Sequence, residues 1–593
     1  MNRRRCLDGK QIFDAFNSGA RRVIDHQDHL NRINVFPVPD GDTGTNLAAT
    51  LSRAMESTRI SESVAETIGS MSDAAIMAAR GNSGAIFAQF LGGFAEALER
   101  SAVLTVESFV HAVRMARDRA YEAIANPKEG TILSAISSWA HSLSEHARHA
   151  GSFRELFDRT LSALQESVER TPEQLAVLAQ SGVVDAGAQG FYHFVKGARD
   201  YLATGRAPLS AEPQRIDLEA THAIPAAEET ITYRYCTEVM VQSNRKAMEG
   251  LRSALEPLGD SLIIAQAGER ARIHIHTDRP ADVVEELRAR GRVREQKAED
   301  MRAQFLAVHR RTRSVALLTD SACDLPREIL DRHQIHVVPM RIISGDIEFI
   351  DRVTISPEGF ARLQRTAKPY PTTSQPPATE LHHAFAWLST HYDSVIAVHV
   401  SGALSGTVGA SLREAQKIAG KRITVIDSRT LSGSLGLLVL RAAQAIESGA
   451  GHDETVRLIE ASIAKTRILV SVRTLDYMVR GGRVSPLAGS FAKLMNLKPI
   501  VSVDGEGRSV LYGKAFSVRS NLHRILLMVA ADHAAHPLRN YAVVHAGVPE
   551  AAREFAARLS AIVGKEPEYV MEISPVISLN AGPGALCVVT MQE

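Results

Sequence analysis

The sequence predicts a multidomain chain: an all-α region first, a small α+β region in the middle and an α/β region at the C-terminus. Three observations carry this. The chain has 593 residues, more than one core organises. Apolar residues recur at helical spacing through residues 1–205 and give way to short strand-like runs beyond. Between the two stretches, residues 206–228 are rich in Pro, Ala and Glu and have no period, as a linker would.

The helical reading of 1–205 rests on segments such as SVAETIGSMSDAAIMAA, AIFAQFLGGFAEALER and FRELFDRTLSALQESVER, each with an apolar stripe. Residues 229–310 read as strand YRYCTEVMVQ, helix NRKAMEGLRSALEPLG, strands SLIIAQAG and RARIHIHTD, and helix PADVVEELRAR. Residues 312–593 repeat a short apolar strand running into a polar turn, as in RSVALLTDSACDLP and RITVIDSRTLSGS. Strands alternating with helices imply parallel β-α units with ligands at the strand carboxyl ends.

Composition excludes several classes. With 68 basic and 67 acidic residues, no net field attracts nucleic acid or a membrane surface. Four scattered cysteines make no disulfide framework and fit a reduced, cytoplasmic setting. The basic start MNRRRCLDGKQIF lacks the apolar run of a signal peptide. No apolar stretch reaches the length of about 18 residues that spans a bilayer.

Polar turns at helix starts carry the chemistry of the first region. NVFPVPDGDTGTN (34–46) is followed by RGNSG (80–84), PKEGT (127–131) and SGVVDAGAQG (181–190). An even number of helices between turns returns the chain to one end of a bundle, so the first three turns gather there. The fourth joins them only if the short helix PEQLAVLAQ is not a full crossing. Helix N-termini suit phosphate, and carboxylates among them suit a hard cation such as Mg2+. Asp40 and Asp42 flank Gly41, and Asn34, Thr43 and Asn46 offer further oxygens. The competing reading is an N-cap Asp42 beside a solvated Asp40.

These four motifs, in this order, resemble the DhaL (DAK2) ATP-binding domain in the form found in bacterial fatty acid kinases. The resemblance implies an all-α helical barrel with ATP and two Mg2+ ions at one rim. It places the metal on Asp40 and Asp42, with Asn34 where related dihydroxyacetone kinases have a third Asp. It also implies phosphate contacts at Asn82, Ser83 and Gly84, help from Thr131, and Asp185 and Gly187 lining the nucleotide pocket.

In the middle region Cys236 of YCTE and His274 and His276 of HIHT make a soft three-ligand set, since residues two apart on a strand share a face. Two half-buried histidines beside a core cysteine would look the same. The middle domain of fatty acid kinases resembles this segment and holds a metal there, which implies Zn2+. The expected role is structural, because no general base is evident beside it.

In the last region LLTDSACDLP, YPTTSQPP, SGALSGT, VIDSRTLSGSLG, RGGRVS and NAGPGALCV form an ordered set. It resembles the two-subdomain DegV family of fatty acid binding proteins. The resemblance implies a carboxylate held by Thr373, Ser374, Ser405, Gly406 and Thr407. Arg480 and Arg483 would lie near that carboxylate, Arg480 in a catalytic role, and Asn580 stands where the family usually has His. Together the resemblances imply a fusion of kinase and acyl carrier that makes acyl phosphate from a fatty acid and ATP, acts as a homodimer and supplies an acyltransferase. A lipid sensor without turnover and a dihydroxyacetone-type kinase are the alternatives. The second expects a substrate histidine that no segment offers.

Overall fold

A computed structural model describes residues 5–36, 39, 41–124, 127–205, 231–244, 246–483 and 498–593. Asp40 and the 206–228 segment lie outside the described residues. The chain divides into two compact units, Met1–Phe305 and Leu306–Glu593.

The first unit opens with β1 (Cys6–Leu7), α1 (Gly9–Asp25), α2 (Gln27–Arg32), α3 (Thr43–Ser57), α4 (Val64–Ala78) and α5 (Gly81–Glu96). It continues with β2 (Leu104–Thr105), α6 (Val106–Glu122), α7 (Ile132–His146), α8 (Phe153–Glu169), α9 (Thr171–Gln174), α10 (Ala176–Ser181) and α11 (Ala186–Thr204). Short side chains start these helices: Ser63 accepts from Glu66 N–H, Thr105 from Ser108 N–H and Ser152 from Glu155 N–H. The long helices close a ring, because α1 packs on α11, α11 on α7 and α8, and α4 to α7 each on the next. Buried aromatic rings fill the ring. Phe87 meets Phe194 at 4.7 Å between centroids, Phe90 meets Phe191 at 5.4 Å, and Trp139 meets Phe157 at 5.6 Å.

A four-stranded antiparallel sheet completes this unit: β3 (Tyr235–Gln242), β4 (Gly259–Ala267), β5 (Arg270–Thr277) and β6 (Arg292–Asp300), in the order β4-β5-β3-β6. Helices α12 (Leu251–Leu255) and α13 (Pro280–Arg290) accompany it, and α14 (Met301–His309) follows. Two expectations are corrected. The helix expected over NRKAMEGLRSALEPLG shrinks to α12, because Gly250 adopts a left-handed φ of 71° just before it. Strand β6, RVREQKAED, was not expected. It is an edge strand of mostly charged residues in which only Val293 is buried, so it lacks apolar alternation.

The second unit holds two subdomains. The first has β7 (Val315–Asp320), β8 (Ile335–Val338), β9 (Arg341–Ser344), β10 (Ile347–Ile350), β11 (Thr372–Ser374), β12 (Ser394–His399) and β13 (Arg422–Asp427). Four of these form the expected parallel sheet, β13-β12-β7-β8. The second has β14 (Thr466–Ser471), β15 (Lys498–Val503), β16 (Ser509–Ala515), β17 (Leu538–His545), β18 (Val570–Glu572) and β19 (Leu586–Gln592). Here the expectation of parallel units fails. In the order β16-β15-β14-β19-β17-β18 only β17 and β18 run parallel. The terminal strand β19 enters between β14 and β17, and local alternation of strand and helix does not encode that insertion.

Candidate active site

The four turns of the helical region meet. Thr50 Oγ accepts from Arg80 N–H at 3.1 Å and donates to Asn46 O at 2.7 Å, tying α3 to the start of α5. Gly81 sits at φ 59° against Asn46, where a Cβ would lie 2.8 Å from Asn46 Nδ2. A Cβ on Gly84 would lie 2.5 Å from Thr50 Oγ, and one on Gly187 would lie 2.8 Å from Ser83 Oγ and 3.3 Å from Ile132. Asp185 closes the circle. It caps α11 by accepting from Ala188 N–H at 2.7 Å, and it also accepts from Ile132 N–H at the start of α7. Burial pushes its carboxyl up to about 7 against those backbone N–H groups.

Asp42 behaves differently. It occupies the N-cap position of α3, but its backbone is already helical (φ −118°, ψ −6°) and its side chain makes no capping bond. Its Oδ2 instead accepts from Asn46 Nδ2 at 2.7 Å. The carboxylate lines a cleft together with Asn34, Thr43, Asn46, Gly81, Asn82 and Ser83. Gly84, Thr131, Asp185 and Gly187 are not among the lining residues. Thr131 caps α7 and donates to Lys128 O at 2.8 Å.

The opposite wall comes from the sheet: Cys236, His274, His276 and Glu299, with Met301 and Gln304 of α14. Cys236 pairs across the ladder with His276, and His274 with Glu238, so all four share one face. The ligand atoms of Cys236, His274 and His276 lie within 4.8 Å of one another. Cys236 Sγ is 3.9 Å from His274 Nδ1, and His276 Nδ1 is 3.5 Å from Asp260 Oδ1. His274 Nε2 is buried with no hydrogen-bond partner among the described residues. Burial, then the carboxylates of Glu238 and Glu299 and, last, Asp42, pushes the Cys236 thiol well up, with Lys297 opposing. A thiolate-binding cation would reverse that shift. The donor sets differ accordingly. Carboxylate and amide oxygens around Asp42 fit a hard cation, and a thiol with two imidazoles fits Zn2+.

Sequence reasoning treats the two walls separately and sees no general base beside the trio. The structure places both walls on one cleft and adds Glu299 and Glu238. Glu238 is 3% exposed. Burial opposes its ionisation, but its bond to His274 and the charges of Arg272 and Lys297 outweigh burial and hold its carboxyl well below the usual range. The signal for Glu238 was present in YCTE, two residues from Cys236 and on the same strand face.

In the second unit the expected carboxylate-binding segments also converge. Gln375, next to Thr373 and Ser374 on β11, packs on Gly406, where a Cβ would lie 2.1 Å from its Oε1. Ser405 and Thr407 hydroxyls bond at 2.8 Å. Arg483 Nη2 reaches Thr373 Oγ at 3.5 Å, and burial lowers its pKa. Asn580 packs on Gly481 and donates to Val576 O at 3.3 Å, while its Oδ1 is buried without a partner among the described residues. Arg480 stacks over Tyr370 and Tyr477 at 5.4 and 6.0 Å, so its guanidinium faces aromatic rings.

Three family models match the chain in order. Residues 37–200 match the DAK2 domain, 232–308 the fatty acid kinase-like middle domain, and 314–593 the uncharacterised DegV family. The chain joins a DAK2 domain, a fatty acid kinase-like middle domain and a DegV region. An uncharacterised protein of Staphylococcus epidermidis is 33% identical over 316 residues, covering 51% of this chain and 57% of that one. One of Staphylococcus saprophyticus is 32% identical over 312 residues, covering 51% and 56%. The chain thus spans little more than half the length of these curated relatives. A solved DegV family protein from Thermus thermophilus, described as binding fatty acid, is 28% identical and covers 47% of this chain and 100% of its own, with a TM-score of 0.44. The DegV fatty acid binding protein of Bacillus subtilis is 26% identical over 48% of this chain and 100% of its own, with a TM-score of 0.43. Among the described residues no helix is long and apolar enough to cross a membrane.

Proposed function

We propose that the chain is a fatty acid kinase, transferring the γ-phosphoryl group of ATP to a carboxylate presented by its DegV region. The observation that carries the reading is Asp42. It stands at a helix start without capping it, and its carboxylate lines a cleft among helix N-termini. The middle-domain family supports fatty acid as the acceptor.

In this reading Asp42, with Asn34 and Asn46 oxygens, holds Mg2+, which neutralises phosphate charge when bound. The N–H groups at the start of α5 receive phosphate oxygens. Cys236, His274 and His276 hold a soft cation at the opposite wall, facing the same reactants and not serving structure alone. Thr373, Ser374, Ser405, Thr407 and Arg483 present the acyl carboxylate. A carboxylate oxygen forms a bond to the γ-phosphorus as the bond to the β,γ-bridging oxygen breaks, giving acyl phosphate and ADP. The carboxylate is already ionised near neutral pH, so positioning and charge neutralisation do most of the work.

Native mass spectrometry of the purified chain before and after addition of Mg·ATP tests this. The expected result is a bound long-chain fatty acid that gains one phosphate, and no gain in Asp42→Ala. A bound lipid that stays unmodified would leave a carrier or sensor.

A further inference from the structure

We propose that Glu238 is a positioning residue that couples occupancy of the Cys236–His274–His276 site to phosphate binding at the start of α5. This rests on the kinase reading and extends it to the way the two walls of the cleft communicate.

One oxygen serves both walls. Glu238 Oε1 accepts from Gly81 N–H at 2.6 Å and lies 3.5 Å from His274 Nδ1. The other oxygen, Oε2, accepts from Arg272 Nη2 at 3.1 Å, and Arg272 Nη1 donates to Met77 O at 2.7 Å in the last turn of α4. The pair therefore spans the joint between α4 and α5. Its carboxylate sits at a helix N-terminus and its guanidinium at a helix C-terminus, each complementing the partial charge it meets. That joint carries Arg80–Gly84, whose Asn82 and Ser83 line the cleft.

Glu238 takes only the first N–H of α5, and it fixes the turn from which Asn82 and Ser83 project. Whatever fixes the His274 ring also fixes the acceptor of Gly81 N–H. A divalent cation on one thiolate and two imidazoles would do so, and it would add net positive charge to the cleft. Both effects favour phosphate on the facing wall. By linkage, phosphate must favour the cation by the same factor. Direct Coulomb attraction between the sites would survive loss of Glu238, whereas the part carried by the shared oxygen would not.

The test uses the full chain stripped of metal. Mg·ADP is titrated calorimetrically with and without Zn2+, and Zn2+ is titrated with and without Mg·ADP. Wild type is expected to bind Mg·ADP about tenfold more tightly with Zn2+, with the same factor in reverse, inside the usual range of coupling. Glu238→Met and Glu238→Ala should each reduce that factor to about threefold or less. Glu238→Met keeps the length of the side chain and removes both oxygens, so it decides the matter if Glu238→Ala does not fold. Wild-type coupling in a folded Glu238→Met variant, absence of coupling in wild type, or failure of wild type to bind Zn2+ would each overturn the inference alone. Failure of wild type to bind Mg·ADP at all would overturn the kinase reading and this inference with it.

Discussion

Asp42→Asn separates two jobs that an aspartate at a helix start can do. A carboxylate that caps the first turn contributes about 1 kcal/mol. Asp42 makes no capping bond, so that contribution is absent; its Oδ2 accepts from Asn46 Nδ2 at 2.7 Å instead. An amide oxygen at position 42 can accept the same bond. The cost is then the difference between a charged and a neutral acceptor, about 1 kcal/mol. In a domain of about 200 residues this lowers the melting temperature by about 2–4 °C. The anionic oxygen, however, is gone from the cleft, and losing one group that stabilises transition-state charge costs about 10²–10³ in rate. The assay is acyl phosphate trapped by hydroxylamine, measured beside thermal melting. Ser63→Ala is the control: it removes a capping acceptor from Glu66 N–H at 3.4 Å, outside the cleft, and should lower stability by about 1 kcal/mol while leaving the rate alone. If Asp42→Asn behaves like Ser63→Ala, Asp42 is an ordinary helix-start residue and the reading of the cleft is wrong.

Three further outcomes are expected. Burial pushes the Asp351 carboxyl up from 3.8 to about 7. The folded chain then holds a proton there that the unfolded chain has lost, so this contribution is complete below the unfolded value and disappears as pH rises through the folded one. Asp351→Asn should come nearest to wild type in melting temperature below about pH 4, and its advantage should grow as pH rises to about 7 and level off above; a difference that does not change with pH would refute the assignment. Gly187→Ala places a methyl 2.8 Å from Ser83 Oγ and 3.3 Å from Ile132. It should weaken Mg·ADP binding about tenfold, with a melting shift of about 3 °C or less, read by titration and calorimetry. Elemental analysis should find one zinc per chain, removed by chelator and absent from Cys236→Ser; zinc retained by that variant would place the metal elsewhere.

What could be read from the sequence was local. Each polar turn, each helical stripe and the period-two pair His274 and His276 is contained within a short stretch, and each points to its role. The chain hides what depends on distance. Gly81 and Glu238 share a hydrogen bond across 157 positions, and nothing near either residue announces the other. Strand β6 has one buried apolar residue, Val293, among charges of which Glu299 lines the cleft, so its pattern shows no period. β19 pairs antiparallel with both β14 and β17, although the strand-helix alternation around it suggested parallel neighbours. Whether Asp42 capped its helix could not be decided without its φ and ψ.

The aromatic filling of the barrel also sets a clock. Phe87, Phe90, Phe191 and Phe194 interlock at the centre, so amides deep in α5 and α11 are expected to exchange with solvent only when the whole domain opens. The starts of the same helices are held instead by hydrogen bonds, Gly81 N–H to Glu238 and Ala188 N–H to Asp185, and are expected to open at lower cost. Hydrogen exchange should therefore divide the first unit into a slow interior and a fast rim. A ligand arriving at the rim would slow exchange there, within seconds to minutes of labelling, against an interior that does not change.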